Sequence, residues 1–328
     1  MINKRIRIGI IGSGGYTGGE LIRILVNHPL VEIAFAHSQS QKGKPVWNTH
    51  LDLLGETDLI FTDQIETDIE VLFLCLGHGE SKVFLEGYSF PDSLRIIDLS
   101  QDFRLNPWFG NREFIYGLTE INRDQIKTSK NIANPGCFAT AIQLSLYPLL
   151  KESIELLSDI NVFGTTGSTG AGRSPSETSH FSWRQNNLSI YKAFDHQHLK
   201  EIKRNLGQVR TGFQSSIQFI PQRGNFSRGI MVSCLVKVKE EIERIKEVFD
   251  QTYQNDEFIF RSDKNIDLKS VVNTNKVFIS LEKNQEELLI NLSLDNLIKG
   301  ASGQAVQNMN LMMGIDETLS LRLKSIAY

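Results

Sequence analysis

Short apolar stretches alternate with amphipathic ones in the first third of the chain. Runs rich in Ile, Val and Leu at 5–11, 31–38, 69–76 and 94–100 predict strands. Residues 18–29 carry apolar side chains at helical spacing and predict a helix between the first two strands. Strands that alternate with helices are typical of a parallel, doubly wound sheet, so this part predicts an α/β domain.

After residue 148 the pattern changes to longer alternating strands, at 215–222, 229–238 and 287–294, with a helix at 241–254. Such a pattern is typical of a largely antiparallel sheet with helices. We therefore predict a first domain over 1–148 and a second, α+β domain over 149–299. A last apolar stretch at helical spacing, 302–315, predicts a C-terminal helix.

Charge and cysteine content narrow the class of protein. The 328 residues include 35 Lys and Arg against 38 Asp and Glu, a net charge of −3, so no basic surplus indicates nucleic acid or an anionic membrane. No apolar run reaches the roughly 18 residues of a membrane span. Cys75, Cys137 and Cys234 are isolated, which disfavours disulfides and a zinc site. We expect a cytoplasmic protein with a small-molecule partner and no metal.

A glycine-rich segment lies between the first strand and the first helix. Its G-x-x-G-x-x-G spacing suits a tight turn, a close approach of backbone N–H groups to a pyrophosphate, and close packing of the helix on the sheet. The helix N-terminus adds a positive dipole for the phosphates. The spacing thus predicts a Rossmann-type dinucleotide site. Its candidate residues are Gly12, Ser13, Gly14, Gly15, Tyr16, Thr17 and Gly18.

The second strand is followed by Ser38, Ser40, Lys42 and Lys44, where a site for NAD would carry Asp or Glu for the ribose 2′-hydroxyl. Hydroxyls and ammonium groups suit a 2′-phosphate, so we predict NADP(H) rather than NAD(H). The alternative for the two lysines is a solvated surface loop.

Cys137 follows an Asn-Pro-Gly turn in the segment NIANPGCFATAI. With Asn134 as the N-cap, Pro135 takes position N1 and Cys137 position N3. The positive end of a helix lowers the pKa of a thiol and favours the reactive thiolate, and this turn is expected at the carboxyl edge of the strands, beside the nicotinamide. A thiolate beside a nicotinamide predicts interconversion of an aldehyde and an activated acyl group through a thioester. The alternative is a buried structural thiol.

Such chemistry needs a proton donor and acceptor, and His196 and His198 are the candidates because they precede or begin an apolar-faced helix. Residues two apart on a helix point roughly 200° apart, so two helical histidines cannot face one sulfur. We predict that one acts and the other supports it. A surface or capping role is the alternative for either, and no third ligand indicates a metal.

Six segments spread over the whole chain resemble the N-acetyl-gamma-glutamyl-phosphate reductase family, the NADPH-dependent enzymes of arginine biosynthesis. They are GSGGYTGGEL, LCLGHGES, IDLSQDFRL, NPGCFATA, TGAGR at 169–173, and DNLIKGASGQAVQNMNLM at 295–312. The resemblance implies a catalytic Cys137, a homo-oligomer (dimer or tetramer) that uses the second domain, and a C-terminal segment, 300–328, that completes the cofactor domain.

The resemblance also adds candidate site residues. Further cofactor-binding residues are Gly77, His78, Gly79 and Asn296. The candidates for binding phosphate or an α-carboxylate are Arg104, Arg173 and Arg228, because a guanidinium matches such anions with two hydrogen bonds. Each arginine is alternatively a surface or structural ion-pair residue.

The chain departs from the family's pattern at two places. Gln197 and Lys200 replace Arg and Pro of the histidine motif, and Pro221-Gln222-Arg223 replaces Pro-His-Leu. These changes leave open another N-acyl group, such as succinyl, or a carrier-linked substrate. Activity like that of aspartate-semialdehyde dehydrogenase is a second alternative. A non-enzymatic NADP(H)-binding redox sensor is the third.

Overall fold

A computed structural model describes residues 5–326. This part divides into two compact units, 5–135 with 301–322 and 136–300 with 323–326. The chain passes from one unit to the other between Pro135 and Gly136, whereas a division after residue 148 would cut a helix of the second unit. No helix among the described residues is both long enough and apolar enough to cross a membrane.

Helices and strands are numbered in chain order. The helices are α1 (Tyr16–Leu25), α2 (Glu80–Glu86), α3 (Thr119–Thr128), α4 (Cys137–Lys151), α5 (Phe181–Arg184), α6 (His198–Val209), α7 (Ile242–Tyr253) and α8 (Gly303–Met312). The strands of the first unit are β1 (Ile6–Ile11), β2 (Val31–His37), β3 (Phe61–Thr62), β4 (Val71–Leu74), β5 (Arg95–Asp98), β6 (Trp108–Phe109), β7 (Arg112–Tyr116) and β8 (Asn131–Ala133). Those of the second are β9 (Ile160–Thr166), β10 (Ser189–Ile190), β11 (Ile217–Arg223), β12 (Ile230–Lys237), β13 (Ile259–Ser262), β14 (Val277–Asn284) and β15 (Glu287–Leu294).

The first unit is built on an eight-stranded sheet in the order β3-β2-β1-β4-β5-β8-β7-β6. Every neighbouring pair is parallel except β6 and β7. Strands covered on both faces read as continuous apolar runs, which is why Ile8, Ile10 and Ile11 of β1 are all fully buried. The predicted Rossmann-type sheet is confirmed.

Helix α8 belongs to the first unit and packs on α3 and α1. Its polar side chains are buried, and two of its amide nitrogens donate to one backbone carbonyl. Asn308 Nδ2 donates to the Gly117 carbonyl at 2.9 Å, and Gln304 Nε2 donates to the same oxygen at 3.0 Å. Gly117 permits this approach, because a Cβ there would lie 2.5 Å from Asn308 Nδ2.

The second unit holds a seven-stranded sheet in the order β10-β11-β9-β12-β15-β14-β13. Its pairs are antiparallel except β11 with β9 and β13 with β14, so the predicted α+β domain is confirmed. Helix α4 is buried along nearly its whole length because it packs against α6, α7, β12 and β15. Phe138 lies against Gly164 of β9, where a Cβ would come within 2.6 Å of its ring.

Candidate active site

Cys137 is the first residue of α4, and the predicted cap is wrong by two positions. Gly136, with extended angles (φ −71°, ψ 149°), is the N-cap, and Cys137 therefore occupies N1 instead of N3. Asn134 is held by its own unit: its N–H donates to the Asp98 carbonyl at 2.8 Å and its Nδ2 to the Ala301 carbonyl at 3.1 Å. Cys137 still lies in the first turn, where the helix dipole favours a negative charge.

Two glycines of the second unit, Gly136 and Gly300, allow close packing around Cys137. A Cβ on Gly136 would lie 2.4 Å from His198 Nε2 and 2.5 Å from Glu201 Oε1. A Cβ on Gly300 would lie 2.7 Å from Cys137 Cβ. Both positions therefore need glycine for close approach. Of the predicted pair, His198 lies against Gly136, the residue directly before Cys137.

His198 is paired with a carboxylate that the sequence reasoning did not identify. Its Nε2 lies 3.7 Å from Glu201 Oε1, and Glu201 is only 2% exposed. The second oxygen of Glu201 accepts a long hydrogen bond, 3.5 Å, from the Gly136 N–H. Because a buried carboxylate favours the charged form of a neighbouring imidazole, this pair suits a histidine that takes up a proton. An acid three residues after a helix-initiating histidine was the available signal.

His196 lies before α6 and differs from His198 in its surroundings. Its ring packs edge-on against Phe138, Tyr191 and Phe219, with centroids 5.7, 5.7 and 5.4 Å away. Its Nδ1 accepts the His198 N–H at 3.2 Å. Burial lowers the pKa of His196 to about 4, helped by the charges of nearby lysine and arginine side chains. His196 is therefore neutral at neutral pH.

Two further side chains that the prediction omitted are Tyr191, whose ring lies 5.7 Å from that of His196, and Arg223 beside it. The Arg223 guanidinium carbon lies 4.7 Å from the centroid of the Tyr191 ring. Burial, and after it the charge of Cys137, raises the pKa of Tyr191 to about 12. These residues come from β11 and from the loop after β10, so no local spacing links them to Cys137 in the sequence.

The other two cysteines have a different character. Burial raises the pKa of both the Cys75 and the Cys234 thiols to about 12. At neutral pH both are therefore unreactive thiols. Among the described residues, no group of three His, Cys, Asp or Glu side chains is placed to hold a metal ion.

The candidate substrate arginines lie in different surroundings. Arg228 pairs with buried Asp295, Nε to Oδ2 at 3.1 Å and Nη2 to Oδ1 at 3.3 Å. Arg104, also buried, donates Nε to the Asn134 carbonyl at 2.9 Å. Arg173 is exposed just after a short 3₁₀ helix, Ser168–Ala171. Arg104 and Arg228 thus have clear structural partners, and a substrate contact for any of the three stays a prediction.

Asn296, a candidate cofactor residue, lies in the second unit. Its Oδ1 accepts the Gly229 N–H at 2.7 Å, and its Nδ2 donates to Thr169 Oγ1 at 3.0 Å. The amide thus connects the segment after β15 with the start of β12 and the TGAGR segment. Its predicted contact with the cofactor stays a prediction.

The glycine loop in the first unit fits a dinucleotide. Gly12 has φ +76°, and a Cβ there would lie 2.4 Å from the Cys75 carbonyl oxygen. A Cβ on Gly18 would lie 2.5 Å from Ser13 Cα, so α1 begins directly against the loop. Tyr16 and Thr17 form the first turn of α1, whose N–H groups have no partner within the helix. Loop and helix start together form a cradle for a pyrophosphate.

The end of β2 lies beside this loop. The Ser38 hydroxyl would be 3.0 Å from a Cβ on Gly14, whereas Ser40 is exposed in the following 3₁₀ turn. Lys42 Nζ pairs with Asp63 at 2.5 Å. No carboxylate follows the strand directly, and contact of Ser38 and Ser40 with a ribose or its 2′-phosphate stays a prediction.

The turn after β4 carries the remaining candidates, Gly77, His78 and Gly79. Gly79 has φ +87°, and its N–H donates to Asp102 Oδ1 at 2.7 Å. His78 is exposed and its Nδ1 accepts the Gln101 N–H at 3.3 Å. This turn is therefore fixed to the segment after β5, on the same carboxyl edge of the sheet as the glycine loop.

Comparison with known proteins agrees with this architecture. Residues 7–129 match the semialdehyde dehydrogenase NAD binding domain, and residues 137–296 match the semialdehyde dehydrogenase dimerisation domain. Aspartate semialdehyde dehydrogenase II from Vibrio cholerae has a similar fold, with a TM-score of 0.72 at 16% identity over 95% of this chain and 99% of that one. The fold and the two domains define a semialdehyde dehydrogenase.

Closer relatives specify the family. N-acetyl-gamma-glutamyl-phosphate reductase from Bacteroides thetaiotaomicron is 55% identical over 98% of this chain and all of that protein. The protein of the same name from Flavobacterium johnsoniae is 51% identical over 97% of this chain and 98% of that protein. The chain belongs to the N-acetyl-gamma-glutamyl-phosphate reductase family, and it is an oxidoreductase whose cofactor is NADP(H).

Proposed function

We propose that the chain catalyses the NADPH-dependent reductive dephosphorylation of N-acetyl-L-glutamyl 5-phosphate to N-acetyl-L-glutamate 5-semialdehyde, a step of arginine biosynthesis. The observation that carries the proposal is the placement of Cys137 at the start of α4, with His198 and Glu201 packed against the preceding glycine. Relatives with this name at about half identity support the substrate. The aspartate semialdehyde dehydrogenases match at 16% identity or less, which favours the glutamyl substrate over the aspartyl one.

The first step is attack by the Cys137 sulfur on the acyl carbon. A C–S bond forms, the C–O bond to phosphate breaks, and phosphate leaves with the electron pair. His198 accepts the thiol proton, and Glu201 stabilises the imidazolium that results. N–H groups of the first turn of α4 stabilise the oxyanion of the tetrahedral intermediate.

NADPH, when bound, supplies the hydride that reduces the thioester. Cys137 must then leave as a thiolate, and this is easier for a thiol than for a hydroxyl because its pKa is lower. His198 lies against Gly136, the residue before Cys137. Once protonated, its imidazolium stabilises the Cys137 thiolate. His196, neutral and packed among aromatic rings, holds His198 in place through the hydrogen bond to its N–H.

Cys137→Ser tests the covalent step. We expect turnover to fall by a factor on the order of a thousand or more, because serine leaves the intermediate poorly, while NADPH binding persists. Cys75→Ser is the matched control and should keep near-normal turnover, since its thiol is protonated at neutral pH. Substantial activity in Cys137→Ser would refute the thioester mechanism, and a wild-type protein that binds NADPH without turnover would indicate a redox sensor.

Three finer assignments belong to the same proposal. The acyl group is acetyl, with succinyl or a carrier-linked glutamyl group as the alternative, and the ratio of kcat/KM for the acetyl and succinyl semialdehydes decides between the first two. The enzyme acts as a homo-oligomer through its second domain, supported by the dimerisation-domain match, and sedimentation measures the state. We place it in the cytoplasm, where three thiols that form no disulfide among the described residues stay reduced.

A further inference from the structure

Arg223 ends β11 on the sheet face that carries Phe219, because residues two and four apart along a strand share a face. Phe219 packs against Phe138, so this face is the one that meets the start of α4. The Arg223 guanidinium lies over the Tyr191 ring, and its Nε is buried without a hydrogen-bond partner among the described residues. A buried guanidinium nitrogen in that state lacks the acceptor that burial normally demands.

The charge of Arg223 is not neutralised by any carboxylate in the described part of the chain. Two further cations lie nearby: Lys192, whose Nζ donates to Gln197 Oε1, and Arg184, which is only 6% exposed. Neither Lys192 nor Arg184 forms an ion pair with a carboxylate in this part of the chain. Arg228 and Arg261, by contrast, have aspartate partners. Arg223 is half-buried and Lys192 is exposed, and a cluster of cations with no carboxylate partner among the described residues indicates a place for an anion.

Arg184 has a separate task, which leaves Arg223 as the ligand candidate. Its Nη1 donates to the Arg223 carbonyl at 2.6 Å, and Nε and Nη2 both donate to the Thr178 carbonyl, at 3.3 and 3.2 Å. Its donors are therefore occupied by backbone oxygens and by the Ser189 hydroxyl. The bond to its carbonyl fixes the backbone of Arg223, and the Tyr191 ring supports its guanidinium.

This group lies beside the nucleophile. The Tyr191 ring lies 5.7 Å from the His196 ring, and the His196 ring lies 5.7 Å from that of Phe138, the residue after Cys137. After burial, the charge of Cys137 helps to raise the pKa of Tyr191, in accord with this placement. The loop that carries Lys192 is tied to β11 by two backbone hydrogen bonds, Tyr191 N–H to the Pro221 carbonyl at 3.1 Å and Phe194 N–H to the Phe219 carbonyl at 2.9 Å.

We propose that Arg223 and Lys192, next to the Tyr191 ring, form an anion subsite beside Cys137 that binds an anionic group of the substrate, either a carboxylate or a phosphate. The guanidinium fork suits both anions, and Lys192 adds a point charge at the exposed side. The identification of the anion as part of the substrate rests on the proposed function. The existence of the subsite does not, so the two can fail separately.

Protection of Cys137 from alkylation by the neutral reagent iodoacetamide tests the subsite without turnover. The probes are inorganic phosphate, N-acetylglutamate and N-succinylglutamate, each titrated against the alkylation rate. We expect at least one probe to slow the reaction of the wild type and its apparent Kd to rise at least tenfold in Arg223→Gln. Arg223→Lys should recover part of the affinity, and Lys192→Gln should weaken it less. Protection by phosphate identifies the leaving-group anion, and protection by an acylglutamate alone identifies a carboxylate.

Arg244→Gln is the matched control, because Arg244 is exposed on α7 in the same unit and pairs only with Glu247 on the surface. Its protection curves should equal those of the wild type, and thermal unfolding should establish that every variant is folded. In turnover assays, Arg223→Gln should raise the KM for the acyl phosphate substrate more than it lowers kcat. Equal apparent Kd values for all probes in wild type and folded Arg223→Gln would overturn the proposal. Absence of turnover in the wild type would instead overturn the proposed function alone.

Discussion

Gly136→Ala should damage catalysis while leaving most of the fold intact. The backbone angles of Gly136 suit alanine, so the effect comes from space alone. The new methyl would lie 2.4 Å from His198 Nε2 and 2.5 Å from Glu201 Oε1, about 1 Å inside ordinary van der Waals contact. Both side chains are buried and must move by about that distance. A 1 Å misplacement of catalytic groups costs about a hundredfold in rate, and overpacking costs about 1–3 kcal/mol of stability.

Steady-state kinetics and thermal unfolding of the same samples measure both effects. We expect kcat to fall about a hundredfold with a modest drop in Tm. Gly207→Ala is the matched control, because Gly207 lies in α6 with open space around its missing Cβ, and alanine is the better helix former there by up to about 1 kcal/mol. If Gly136→Ala retained more than a third of wild-type kcat while folded, close packing of His198 and Glu201 would not matter for the reaction.

Four further predictions concern single groups. Glu201→Gln should lower kcat about tenfold and shift its pH profile to lower pH, because His198 loses a carboxylate that favours its protonated form. Gly12→Ala should abolish NADPH binding in a fluorescence titration, since φ is +76° and the Cβ would overlap the Cys75 carbonyl. Peptide mapping after brief alkylation at neutral pH should find label on Cys137 and none on Cys75 or Cys234, whose thiols have raised pKa values. Stability should fall as pH drops from about 6.5 to about 4, because unfolded His196 binds a proton that the folded state refuses; the loss is at most about 3 kcal/mol, and His196→Phe should flatten that range in denaturant titrations.

The sheet of the first unit could be predicted because its signal is local. Apolar runs of four to six residues determine strands such as β1 and β4, whose side chains are buried on both faces of the sheet. The glycine spacing likewise reports a backbone requirement that acts within a single turn. The two-residue strands β6 and β10 could not be predicted, because a strand so short exists only through its partner.

The position of the helix cap could not be predicted from the same kind of local rule. Asn before Pro is a good cap by preference, and the rule assigned Asn134 that role. In the folded unit the Asn134 amide has stronger competition, since Asn308 and the Ala301 carbonyl bind its side chain. Those partners lie more than 160 residues away in the sequence, and they leave Gly136 to begin the helix.

The sequence analysis also missed several residues of the candidate site. Glu201 follows His198 on the first turn of a predicted helix, and a search for acids at i+3 would have found it. Tyr191, Arg223 and Gly300 come from a loop, a strand end and a π-helical turn, and nothing in their spacing relates them to Cys137. A polar residue from a distant segment is visible only when the fold has placed it.

The two histidines illustrate how the local argument reached the right pair and left the roles undecided. If both histidines were helical, their side chains would point in nearly opposite directions. Only His198 is helical, and the two rings lie on one side with their centroids 4.7 Å apart. Their surroundings then separate their chemistry. Three aromatic rings and two cations keep His196 neutral, whereas a buried carboxylate faces His198. We therefore propose that His198 acts as the acid and base and that His196 orients it, because a carboxylate favours a charged imidazole and burial among aromatic rings disfavours one.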